Sequence, residues 1–131
     1  MFIKTKLAML FGLLCLLTAP LESARVREPQ DPCANAQTTV EMDDCAGKEY
    51  KKADAALNKT YREVSAKLDD AGYKEALKKA QQVWITFRDA NCEMKSYINK
   101  GGTIYPIVYT NCLTEMTSRR TKELHELVEE R

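Results

Sequence analysis

The sequence predicts an all-α fold: a three-helix, up-down-up bundle stapled by two disulfides at one end. Apolar residues recur at three- and four-residue steps over most of the chain beyond residue 38. Two glycine-bearing breaks, Asp70-Ala71-Gly72 and Gly101-Gly102-Thr103, divide that pattern into three segments. Four cysteines (Cys33, Cys45, Cys92 and Cys112) remain once an N-terminal leader is set aside, an even number in a short chain. At 131 residues, 44% hydrophobic and 30% charged, the chain is too apolar for disorder and too short for two ordinary domains.

The leader comes first. Residues 1–6 carry Lys4 and Lys6 and no acid, residues 7–17 form an apolar run, and small residues follow at Thr18, Ala19, Ser23 and Ala24. This is the layout of a secretory signal peptide. We expect residues 1–24 to be removed and residues 25–131 to form a single helical domain, periplasmic or secreted. The apolar run is well short of the about 20 residues that cross a bilayer, so no membrane span is expected. Cys15 leaves with the leader and lacks the small preceding residues of a lipid-attachment site. The remaining chain balances eighteen bases against eighteen acids, which removes the long-range attraction that nucleic-acid binders use.

The first helix is expected over residues 38–68. Thr38 or Thr39 can cap it, and Glu41, Asp43 and Asp44 sit where the helix dipole favours negative charge. Its apolar face reads Met42, Cys45, Ala46, Ala53, Leu57, Tyr61, Val64 and Leu68. The second is expected over residues 73–99, with Leu77, Ala80, Gln81, Trp84, Phe87, Arg88, Asn91, Cys92 and Ile98 inward. The glycine pair ends it, and Pro106 delays the third helix to residues 108–130, with Cys112, Met116, Leu124, Leu127 and Val128 inward. In an up-down-up arrangement all four cysteines gather at one end. That layout permits any of three pairings; the placement of Cys92 and Cys112 about the glycine turn favours that pair, leaving Cys33 with Cys45.

Few residues here suit chemistry. His125 is the one histidine, and it lies far along the last helix from the cysteines. No phosphate loop, dinucleotide fingerprint or zinc-protease motif occurs, and the cysteines lack the close pairing of a zinc site. We therefore expect no enzyme, no catalytic residues, no metal and no cofactor. Arg88 on an apolar stripe is unusual, because a buried guanidinium needs partners. Trp84, Arg88 and Asp89 are read as a structural clamp across the bundle.

These residues together resemble the lysozyme inhibitor LprI-like family of small exported bacterial domains. The resemblance rests on TTVEMDDCAGKEYKKADAAL from Thr38, AQQVWITFRDANC from Ala80, Gly101-Gly102-Thr103, Cys112 and the stretch from Arg119 to Leu124. It implies a helical, disulfide-bonded domain outside the cytoplasm and, from at least one lipid-anchored member, inhibition of lysozyme. The expected partner is a lysozyme or another peptidoglycan hydrolase. The alternative is a periplasmic interaction module, an immunity or envelope-assembly partner, with no hydrolase-inhibitor activity. The candidate inhibitory loop is Lys100, Gly101, Gly102, Thr103, Ile104 and Tyr105. Lys100 and the hydroxyls of Thr103 and Tyr105 could donate to the two cleft carboxylates with which lysozyme works, while Ile104 and Tyr105 supply an apolar anchor. The acid-rich stretch from Asp31 to Glu49 offers a local patch for a basic hydrolase.

Overall fold

The computed structural model describes residues 33–129, the side chain of Val128 excepted, so the expected signal peptide and lead-in lie outside the described residues. Three helices follow one another: α1 (Thr39–Lys67), α2 (Ala71–Ser96) and α3 (Tyr105–Glu129), with a 3-10 turn at Tyr97–Asn99 closing α2. There is no strand among the described residues.

Local chemistry explains each boundary. Thr38 caps α1 in a capping box: its hydroxyl accepts from the Glu41 amide, and Glu41 accepts in return from the amides of Thr38 and Gln37. Those backbone bonds, that of Gln37 first, hold the Glu41 carboxyl below its ordinary pKa. At Leu68 the backbone turns extended and α1 stops. The Asp70 carboxylate then accepts from the Tyr73 amide at 2.7 Å, so α2 begins at Ala71, two residues before its expected start. A second shift occurs at α3, which starts at Tyr105 rather than near residue 108. Pro106 falls in the first turn, where its missing N–H is not needed and its fixed φ suits a helix. Proline opens this helix instead of delaying it.

The helices pack up-down-up. Cys92 lies against Cys112, Arg88 reaches Thr117 and Gln81 reaches Arg120, which sets α2 antiparallel to α3. α1 runs alongside α3 in the same direction and makes the most extensive contact in the bundle. Two apolar clusters result. One, of Cys92, Cys112, Leu113 and Met116 with Tyr50 and Tyr109 against it, fills the stapled end. The other, of Leu57, Val64, Leu68, Leu77 and Leu124, fills the opposite half, and Trp84 packs against both. Buried Thr60, Gln81, Arg88 and Thr117 make the interior polar as well as apolar.

Several residues expected inward point out: Met42, Ala80, Phe87, Ile98 and Leu127 are exposed. The buried face of α2 is a narrow stripe through Leu77, Gln81, Arg88, Cys92 and Ser96. Two neighbouring helices cannot cover the wider apolar arc that periodicity marks out. Both disulfides form, Cys33–Cys45 and Cys92–Cys112, each with Cα atoms 5.6 Å apart. Because Cys92–Cys112 closes a connection of 20 residues, replacing both cysteines by alanine is expected to cost about 2–4 kcal/mol, read as a fall in the urea midpoint with helicity at zero denaturant retained.

Candidate functional site at the stapled end

The connection between α2 and α3 is a folded turn. Lys100, Gly102 and Tyr105 amides donate in succession to the carbonyls of Tyr97, Asn99 and Gly102. Gly101 has φ +82°, a conformation that side-chain-bearing residues rarely adopt. Beneath the turn, the Ser96 hydroxyl is fully buried and donates to the Cys92 carbonyl at 2.8 Å.

Glu93 grips both ends of this turn. Its carboxylate accepts from the Tyr105 hydroxyl through one oxygen and from Lys100 Nζ, 3.2 Å away, through the other. The Tyr105 bond and then the Lys100 bond hold the Glu93 carboxyl below the usual glutamate range, and the same Glu93 contact raises the Tyr105 phenol. Lys100 also lies 5.1 Å over the Tyr97 ring, and Tyr105 stacks on Tyr109. Thus the Lys100 and Tyr105 donors that sequence reasoning aimed at a partner are engaged within the chain. Lys100 keeps 58% of its side chain exposed, so its remaining N–H groups still face outward. Gly101, Gly102, Thr103 and Ile104 are all exposed.

The structure adds residues that sequence reasoning missed. Glu93 sits seven positions before Lys100, a spacing that no helix-pair rule flags, and only the fold of the turn brings them together. Ile98, 90% exposed, with Tyr97 and Met94 also exposed, gives this end an apolar surface that continues to Ile104. In contrast, the acid-rich start of α1 is largely spoken for. Asp44 pairs with Lys48, Glu49 with Lys52, and Glu41 is part of the cap, while Asp43 stays exposed beside them.

One layer deeper lies Arg88, 6% exposed. Its Nε and Nη2 both donate to one Asp89 oxygen at 2.8 Å, and Nη1 donates to the Thr117 hydroxyl at 3.3 Å. The guanidinium also lies 5.3 Å from the Trp84 ring and 5.6 Å from that of Tyr50. Burial raises the Tyr50 phenol, and the nearby arginine partly opposes this. Trp84, Arg88 and Asp89 are therefore brought together with Tyr50 of α1 and Thr117 of α3. His125 stands apart, exposed beside Glu129. Among the described residues no group of three or more His, Cys, Asp or Glu is placed to hold a metal, and no helix is long and apolar enough to cross a membrane.

The fold and this end define a class: a small disulfide-stapled helical domain that presents a braced turn with an apolar border. Residues 30–124 match the family described as lysozyme inhibitor LprI, and the chain belongs to that family. It is 41% identical over 130 residues to R02472, an uncharacterized protein of Rhizobium meliloti (strain 1021), covering 90% of this chain and 91% of the relative. It is 29% identical over 94 residues to the uncharacterized protein YecT of Escherichia coli (strain K12), covering 61% and 58% respectively. The crystal structure of a DUF1311 family protein from Pseudomonas putida KT2440 superposes with a TM-score of 0.63 at 25% identity, covering 66% of this chain and 90% of that one.

Two predictions follow from the geometry. Because the folded-state pKa of Glu93 is depressed, its bracing of the turn is present above the ordinary glutamate pKa and is lost as pH falls through the lowered value. Exchange protection of the Gly102 and Tyr105 amides, corrected for intrinsic rate, should fall in that acid range; Glu93→Gln should lack it at neutral pH and return the Tyr105 phenol towards its ordinary pKa. Asp89→Ala leaves a buried guanidinium short of its anion and is expected to destabilise by about 1–3 kcal/mol. Adding Arg88→Met should recover part of that loss in a double-mutant cycle, since replacing both charges removes the unpaired one.

Proposed function

We propose that this chain is exported, forms its disulfides outside the cytoplasm, and binds and inhibits a lysozyme or related peptidoglycan hydrolase without catalysing a reaction itself. Membership of an inhibitor family supports the partner class. Two disulfides in a small domain support an oxidising compartment, periplasmic or secreted. The observation that carries the reading is the braced turn. Glu93 holds Lys100 and Tyr105 at its two ends, while Cys92–Cys112 ties together the helices below.

A turn ordered before binding loses little conformational entropy on docking, which is how small inhibitors gain affinity. Ile98 and Ile104 then serve as apolar anchors, and the free N–H groups of Lys100 with the Thr103 hydroxyl meet the carboxylates of a hydrolase cleft. Desolvation on docking strengthens those charge-assisted bonds.

The test is a titration of the exported, oxidised protein into lysozymes of several types acting on cell-wall substrate. Inhibition should saturate at a fixed molar ratio and fade when the disulfides are reduced. Ile104→Asp and Lys100→Ala should each weaken inhibition at least tenfold while far-ultraviolet circular dichroism stays unchanged. Full inhibition by both variants would remove the turn from the contact. No inhibition of any lysozyme would move the chain to the alternative role, an envelope interaction module recognising another protein.

A further inference from the structure

At the end of the bundle opposite the disulfides the helices part around a cleft of about 440 Å³, within the ~300–1,000 Å³ range of small-molecule sites. Val64, Leu68 and Leu77 form its buried floor, Ala80 and Leu127 lie exposed on its lining, and among the described residues Lys67 and Arg120 are its only charged lining residues. Among the described residues no acid lines it, although Glu123 pairs with Arg120 at its edge. The acids of α2, namely Glu75, Asp89 and Glu93, lie about 100° or more around the helix from its lining residues Tyr73, Ala76, Leu77 and Ala80, by the ~100° turn of each residue.

The two cations differ in their commitments. Arg120 donates from Nε to Gln81, pairs through Nη1 with Glu123 and lies over the Trp84 ring, which fixes it at the edge of the cleft. Lys67, in the last turn of α1, has no ion pair among the described residues. With the Arg120 charge matched by Glu123, the cleft carries one ammonium without an ion pair at its edge, which is complementary to an alkyl chain ending in an anion. Other occupants fit less well. A second copy would bring the same cations against themselves. After removal of residues 1–24, the eight residues before Cys33 reach at most about 28 Å. Cys33 is bonded to Cys45, and the α1 lining of the cleft begins at Val64, about 28 Å further along the helix, so that segment fully extended would reach the near edge without filling the cleft.

We propose that this cleft binds a fatty carboxylate, with its chain between the three helices and its head group on Lys67. The site lies at the opposite end from the braced turn, so it stands or falls independently of hydrolase inhibition. The experiment is isothermal calorimetry of the exported, oxidised protein with dodecanoate below its micelle concentration. Parallel arms use dodecyltrimethylammonium and a single-chain phosphatidylglycerol of the same chain length. Dodecanoate should bind saturably at one per chain, and the cation at least tenfold more weakly. Lys67→Glu, a surface change that leaves the core untouched, should weaken dodecanoate at least fivefold. Ala80→Phe, which fills the cleft, should weaken it at least tenfold with the melting curve kept as a check on folding. Absence of saturable binding, equal affinity for the cation, or unchanged affinity in Lys67→Glu would overturn the proposal. Tighter binding of the phosphatidylglycerol than of dodecanoate would overturn the carboxylate assignment.

Discussion

The guanidinium of Arg88 is the constraint around which the bundle closes. It is one of five polar or charged side chains buried among the described residues, and its charge must be satisfied wherever the helices settle. Asp89 supplies the anion from the neighbouring position, Thr117 supplies a hydroxyl from α3, and Trp84 and Tyr50 supply ring faces. Those directional contacts together restrict the rotation and height of α3 and α1 about α2. Leucines alone would tolerate several packings of nearly equal energy, because apolar contact has no direction.

From that layer the molecule diverges. Towards the cysteines, each packing decision is reinforced by a covalent or charged contact: Cys92–Cys112, Cys33–Cys45 and the grip of Glu93 on the turn. Away from them, leucine and valine packing holds the helices, and their ends part around an open apolar cleft. A small domain with a modest core uses its staples at the end that must keep its shape. The opposite end is free to carry space. The braced turn and the cleft thus lie about 30 Å apart, by the about 1.5 Å rise of each residue along α2 between Leu77 and Tyr97.

Much of this arrangement is legible in the residues. Thr38 and Glu41 announce the first cap, Gly101 announces the turn, and Cys92 with Cys112 flank it at distances a helical hairpin can bridge. The clamp at Trp84, Arg88 and Asp89 shows itself because a guanidinium is out of place on an apolar stripe. Other features resist reading. Phe87, Ile98 and Leu127 carry the same periodic signal as Leu77 and Leu124 but face outward. Hydrophobic spacing reports which face of a helix is apolar, not how much of that face a neighbour covers. Pro106 misleads in the opposite way, since the same fixed φ ends one helix and begins another. Glu93 looks like any surface acid until the turn folds back over it.

By itself, then, the sequence determined the three helices, their breaks, the even set of cysteines and the family, because these rest on local propensity and on patterns along one strand of chain. The tertiary structure decided the partners of Glu93, the exposure of Ile98 and Phe87, and the cleft beside Lys67. Each of those depends on how far apart the helices sit and how they are rotated. That geometry is set by summed packing and by a buried charge, and no single stretch of sequence encodes it.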